Sequence, residues 1–311
     1  MHLSIRFNRF WEKRDMTKLT KALVARHALG RADAYDAALL DIAQDHLLYL
    51  LNLAGVFEDG DLIFKGGTSL RKCRLGNDGR FSTDLDFAAP NEETVLGVCQ
   101  IIDGANIAGF HYRLESTRGD GRHWALRVTH DELGSPNIAA SVEFARRSLA
   151  LPAEELAFVN LPIHKNYEFA LPPLPVVAEA EACAEKLARY RRVALGRDLY
   201  DLNQFAGRTI DEALVRRLWV LKVWGDVIDD RRGEKPADPK DVLRRRTERD
   251  FQPDSIGVLT RPVDLATWEH NVRVRFQFLT ELDESEQRWA ACNERHRQEI
   301  TTALAALRTR F

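Results

Sequence analysis

Along residues 39–51, apolar side chains return every three to four positions (Leu39, Leu40, Ile42, Ala43, Leu47, Leu50, Leu51). That period lines one side of a helix and predicts one over 31–54, ended by Gly55. A shorter helical pattern covers 15–28. Past Gly55 the rhythm changes. Residues 61–65 form a short apolar run bounded by Gly60 and Gly66, the signature of a strand. A helix is expected over 68–75, capped by Thr68 or Ser69, then a turn at Gly76-Asn77-Asp78-Gly79 and an alternating strand over 83–88. A helix over 91–104 precedes strands at 110–116 and 124–129, joined by a turn around Gly119-Asp120-Gly121, and a further strand at 137–145.

Beyond Leu151 the pattern breaks at Pro152, Pro162, Pro172, Pro173 and Pro175, which reads as a connecting segment. From 176 onward it is almost wholly helical: 179–195, 197–205, 211–227 and two more helices between 264 and 309, with a charged loop at 229–241. The expected architecture is an α/β lobe over 1–150, including the N-terminal helices, followed by a mostly helical lobe over 151–311.

Composition narrows the function classes. With 45% apolar and 30% charged residues the chain is an ordinary folded protein, and 311 residues suffice for two lobes. A net charge of −2 offers no global attraction to nucleic acid or to an anionic membrane, so any such binding must be local. The four cysteines (Cys73, Cys99, Cys183, Cys292) form no Cys-x-x-Cys pair, which argues against structural zinc and disulfides and suits a reducing cytosol. The longest apolar run, Leu47 to Phe57, is too short to span a bilayer, and the Arg- and Lys-rich start holds no signal-peptide core. A cytoplasmic protein without disulfide or membrane partner is expected.

The chemistry concentrates in Lys65-Gly66-Gly67-Thr68-Ser69-Leu70 and Arg80-Phe81-Ser82-Thr83-Asp84-Leu85-Asp86-Phe87. On a strand, Asp84 and Asp86 project to one face while Leu85 and Phe87 enter the core. Two neighbouring carboxylates repel unless a cation sits between them, and hard oxygen ligands favour Mg²⁺ or Mn²⁺. The glycines allow close backbone approach, and the start of the following helix offers N–H groups to an anion, with Thr68 and Ser69 adding hydroxyls. A phosphate cradle ahead of a metal-binding strand suits nucleotidyl transfer. Each piece alone is commonplace, a glycine turn or a solvated strand face; their order and spacing are what carry information. Glu143, on the strand at 137–145, can complete the acidic set as a third ligand, act as base, or simply face solvent. Between Lys186 and Arg197 lie five cations and no acid, which can clamp a triphosphate or RNA backbone or form a solvated face. Asp198 caps the helix after Gly196 or pairs with Lys186. Dinucleotide, P-loop and nucleophile-elbow motifs are absent.

These two segments, with Glu185-Lys186-Leu187 and Arg197-Asp198-Leu199-Tyr200-Asp201-Leu202, resemble the AbiEii/AbiGii nucleotidyltransferase toxins, the toxin halves of AbiE-type and mycobacterial MenAT-type pairs. The resemblance covers about residues 40–205. It implies a polymerase-β-like nucleotidyltransferase core, with metal at Asp84 and Asp86; Glu143 joins them as a candidate ligand only through the strand reading above. It implies nucleotide binding at Gly67 and Ser69, to which the loop and the basic helix add Lys65, Gly66, Thr68, Ser82, Arg189 and Arg197 as candidates. Catalytic roles fall on Asp84, Asp86, Lys186 and an acid at Asp198 or Asp201. The implied function is transfer of nucleotides from an NTP to the 3′ end of tRNA, restrained by a cognate antitoxin. The alternatives are a nucleotidyltransferase acting on a protein or small molecule, and an inactive RNA- or antitoxin-binding module of the same fold.

Overall fold

The computed structural model describes residues 18–251, 256–259 and 261–310. Of the expected first helix, 15–17 lie outside them; the described part is α1 (Lys21–His27), whose first turn is capped by the Thr20 hydroxyl. α2 (Tyr35–Leu53) is buried nearly all round, carrying Asp41, Gln44, Asp45 and His46 into the core beside its leucines. Then come β1 (Ile63–Lys65), α3 (Gly66–Leu70), β2 (Asp84–Ala88), α4 (Glu92–Ile102), β3 (Asn106–Ile107), β4 (Phe110–Ser116), β5 (His123–His130) and β6 (Ser141–Ala145). They are followed by β7 (Glu154–Leu156) and β8 (Leu174–Val176).

All eight strands join one mixed sheet, in the order β3-β4-β5-β6-β2-β1-β8-β7. The stretch 152–175, expected to be a connection, thus supplies two strands: β8 runs parallel to β1 and β7 closes the edge. Of the prolines in this stretch, Pro175 alone lies in a strand, opposite Glu155 of β7. The strand expected over 137–145 begins only at Ser141, and the two-residue β3 was not foreseen. One face of the sheet buries Phe64, Leu85, Phe87, Val142 and Phe144, whose rings pack in sequence (Phe64–Phe87, Phe87–Phe144).

The chain continues through α5 (Glu179–Arg192), α6 (Gly196–Ala206), α7 (Glu212–Ile228), α8 (Lys240–Leu243), α9 (Leu265–Arg275), α10 (Glu284–Ala290) and α11 (Arg297–Arg310). Between 264 and 309 the described residues thus hold three helices where two were expected. The buried side chains of sheet and helices form one continuous core. Among the described residues no helix is long and apolar enough to cross a membrane.

Candidate active site

The site is built on β2 because that strand lies inside the sheet with its core face fully packed, so Asp84 and Asp86 must emerge on the other face. Its approach is anchored from behind. The Gln44 amide donates to the Ser82 and Thr83 carbonyls (3.2 and 3.0 Å), and the Thr68 hydroxyl donates to the Asp84 carbonyl. In the parallel pair β2–β6, Asp84 faces Ser141 and Asp86 faces Glu143. Three carboxylates therefore share one face. The Ser141 hydroxyl bridges two of them, 2.9 Å from Asp84 Oδ1 and 3.4 Å from Glu143 Oε1.

This face is short of positive charge. Partial burial and the carboxylates of Asp84 and Glu143 push the Asp86 carboxyl up to about 6, against a weaker pull from Lys65 and Lys186. Among the described residues the cation nearest Asp84 is Arg197, 4.0 Å away. A divalent ion would relieve that repulsion, so the donor set fits one. Among the described residues no group of three or more His, Cys, Asp or Glu side chains is placed to hold a metal ion, which leaves the pair Asp84 and Asp86 as the candidate ligands. That suits an ion that completes its shell with water and substrate phosphate, as Mg²⁺ does.

The glycine loop is tightly engaged with this face. Gly66 has φ +79°, and a Cβ there would stand 2.0 Å from Asp86 Oδ2. A Cβ on Gly67 would stand 2.2 Å from Arg80 Nη2 and 3.0 Å from Ser82 Oγ. Glycine is needed at 66 on both backbone and steric grounds. The hydroxyls expected as phosphate donors are used differently. Thr68 and Ser69 are fully buried: Thr68 holds β2, and Ser69 Oγ donates to the Gly66 carbonyl (3.0 Å). The cap expected from them is absent too, because the helix starts at Gly66 and runs into a wider turn over Arg71–Leu75.

Opposite lies the basic wall from α5 and α6. Lys186 is buried, bonded to Asp201 (2.8 Å) and Asp198 (3.3 Å). Arg189 reaches Asp198 (3.0 Å) and is about one-third exposed, as is Arg197. Burial and the adjacent Arg189 and Arg80 hold the Arg197 guanidinium below its usual value, a sign of local excess positive charge. Asp198, expected among the catalytic acids, has no exposed surface and lies behind Lys186 and Arg189. Its carboxylate is engaged by those two cations. Asp201 is likewise buried, gripping Arg80 through Nε and Nη2 (3.1 and 3.2 Å) as well as Lys186.

A family model described as nucleotidyl transferase AbiEii toxin, type IV TA system, matches residues 48–295. The chain belongs to this family. It is similar to MenT4, a nucleotidyltransferase toxin from Mycobacterium tuberculosis H37Rv, with 74% identity over 93% of this chain and 99% of that one, and a TM-score of 0.91. Two Helicobacter pylori proteins align at 18% and 16% identity, over 81% and 78% of this chain and 97% and 95% of theirs. Their TM-scores are 0.44 and 0.38, the second being for JHP933. A search of curated proteins finds no match. The molecule is thus a nucleotidyltransferase toxin of a toxin–antitoxin system, with the fold of MenT4.

Within the AbiEii fold, the sequence reading missed Arg80, Ser141, Glu185 and Lys222. Arg80 opens the motif that contains Asp84, and its spacing of six from Asp86 offered a signal. Glu185 bonds Lys65 (2.8 Å) and Lys222 (3.0 Å), and Lys222 sits on α7, far from any motif. No local pattern announces it.

Proposed function

We propose that this toxin transfers a nucleotide from an NTP to the 3′ hydroxyl of tRNA in the cytoplasm, depends on Mg²⁺ or Mn²⁺, and is restrained by a cognate antitoxin. The observation that carries the reading is the juxtaposition of an acidic face at Asp84, Asp86 and Glu143 with a basic wall whose exposed members are Arg189 and Arg197. The acidic face lacks the counter-charge that a divalent ion brings, and Arg197, crowded by Arg189 and Arg80, is open to the phosphates.

Asp84 and Asp86 would hold the divalent ion, with Glu143 beside them. When bound, such an ion polarises the α-phosphate and stabilises the attacking and leaving oxygens. Arg189 and Arg197 bind the phosphates, and Lys186 adds buried positive charge where pyrophosphate departs. The bond formed joins the tRNA 3′ oxygen to the α-phosphorus; the bond broken links that phosphorus to the bridging oxygen. Glu143, whose side chain is 42% exposed, takes the hydroxyl proton in this reading.

The test incubates the protein with tRNA, Mg²⁺ and each labelled NTP in turn. Label should enter tRNA with at least one NTP and be removed by RNase, and Asp84→Ala should lower the rate by about 10³-fold or more. No transfer with any NTP, or full transfer by Asp84→Ala, would refute the mechanism. Label that survives RNase would point to a protein acceptor instead.

A further inference from the structure

Lys65 presents a puzzle of partner choice. It stands opposite Asp86 in the antiparallel β1–β2 pair, so the two side chains share a face. Directly opposed residues have Cβ atoms about 4.5–5.5 Å apart, well within the reach of a lysine stem. Asp86 is half-buried and poorly compensated, a natural destination for an ammonium. Yet the Lys65 ammonium is bonded to both oxygens of Glu185, 2.9 Å from Oε1 and 2.8 Å from Oε2.

Glu185 can compete because it is itself anchored. Lys222 bonds it from α7 at 3.0 Å, and the same ammonium bonds Glu181 at 2.5 Å. Glu181 is fully buried and accepts from the backbone N–H groups of Ala150 and Leu151 (2.8 to 3.0 Å). Burial raises the Glu185 carboxyl, but Lys222 and Lys65 outweigh it and hold the group far below the usual carboxylate range. The result is a fixed, fully ionised acceptor behind β1.

We propose that Glu185 is a positioning residue that holds the Lys65 ammonium off Asp86, keeping the β2 carboxylates available to a divalent cation. This rests on the reading of Asp84 and Asp86 as ion-holding acids. Without the Glu185 charge, Asp86 becomes the strongest acceptor within reach of Lys65. The tethered ammonium then competes with the metal for the same oxygens.

The test measures Mn²⁺ binding to the full chain without nucleotide, by the electron paramagnetic resonance signal of the free ion and by calorimetry. Glu185→Gln should weaken binding about tenfold, a modest figure because water shares the task of screening Lys65. Lys65→Met should bind within about twofold of wild type, and Lys65→Met/Glu185→Gln should recover that affinity, since no ammonium remains to compete. Should Glu185→Gln fold poorly, Glu185→Asp, one methylene shorter, should weaken binding in the same direction and be rescued by the same Lys65→Met change. Wild-type affinity in Glu185→Gln overturns the proposal. So does a double variant that stays as weak as Glu185→Gln, because a merely structural Glu185 is not rescued by deleting its partner. Wild-type protein that holds no more Mn²⁺ than Asp84→Ala overturns the ion-holding reading itself, a result distinguishable from the other two.

Discussion

Two groups of charges flank the segment that carries the glycine loop, and they are built on opposite plans. Behind it, Asp41 and Asp45 of α2 meet Arg71, Lys72, His27 and His164 in near-complete burial. Lys72 bonds Asp45 at 2.5 Å and Asp41 at 3.1 Å, Arg71 bonds Asp41 at 3.1 Å, and the Tyr167 hydroxyl donates to Asp45 at 2.7 Å. In front, Asp84, Asp86 and Glu143 crowd one face with Arg197 no closer than 4.0 Å. The ionisations diverge accordingly. Burial alone would raise both Asp41 and Asp86, but Arg71 and Lys72 hold Asp41 well below the usual carboxylate range, whereas Asp84 and Glu143 drive Asp86 up to about 6. Balanced charge closed off from water is architecture. Charge left unbalanced on a half-exposed face marks a place that something outside the chain can complete.

The sharpest way to break this comparison is to unbalance the rear group. Asp41→Asn leaves Arg71 and Lys72 short of a buried counter-charge, and removing one partner of a buried pair costs about 3–5 kcal/mol. Denaturant unfolding of this variant should show a loss of that order, together with looser geometry of the turn at Gly76-Asn77-Asp78-Gly79, because Arg71 also donates to the Gly76 and Gly79 carbonyls (3.3 and 2.8 Å). An Asp41→Asn protein as stable as wild type would mean the rear group is not structural.

The front group was legible in the sequence, and the rear one was not, for a physical reason. Asp84 and Asp86 announce themselves because a strand puts alternate residues on one face, and the loop glycines because few other residues fit such turns. Glu143 could be paired with them once its strand was recognised, although its register with Asp86 required the sheet. Asp41 and Asp45 sat inside a helix whose apolar period implied a polar outer face; tertiary packing covers that face too, so period alone misassigns them. The strands β7 and β8 escaped because three residues are too few to show alternation and prolines mask what little there is. The Lys65–Glu185–Lys222 chain joins residues up to 157 positions apart, and nothing local encodes that.

A smaller effect separates two glycines. Gly66 pairs a φ of +79° with a Cβ position 2.0 Å from Asp86 Oδ2, whereas Gly97, in α4, has open space around it. Gly66→Ala should cost about 1–3 kcal/mol of stability and push the Asp86 carboxylate aside, so transfer falls more than stability does. Gly97→Ala should stabilise by about 0.4–1 kcal/mol through the entropy of the unfolded chain. Thermal unfolding and transfer assays on the pair read both. A benign Gly66→Ala would show that the loop is not pinned to Asp86.

The finest test sets the front group against itself. Asp86 titrates near 6 in the folded protein, above the ordinary carboxylate value of about 4 in the unfolded chain. Between those two values the metal-free folded state binds more protons than the unfolded one, so stability falls as pH rises through the window and stays lowered above it. Asp86→Asn removes that loss. The variant should gain about 1–2 kcal/mol at pH 7 in a chelator, discounted for the water that reaches this half-buried group, and gain little at pH 4. The same substitution should abolish stabilisation by added Mn²⁺, which binds only the folded protein and so raises wild-type stability by mass action. The variant would then unfold later than wild type in chelator and earlier than wild type in saturating Mn²⁺. Asp41→Asn, by contrast, should lower stability in both conditions, because no added ion can reach the place it leaves empty.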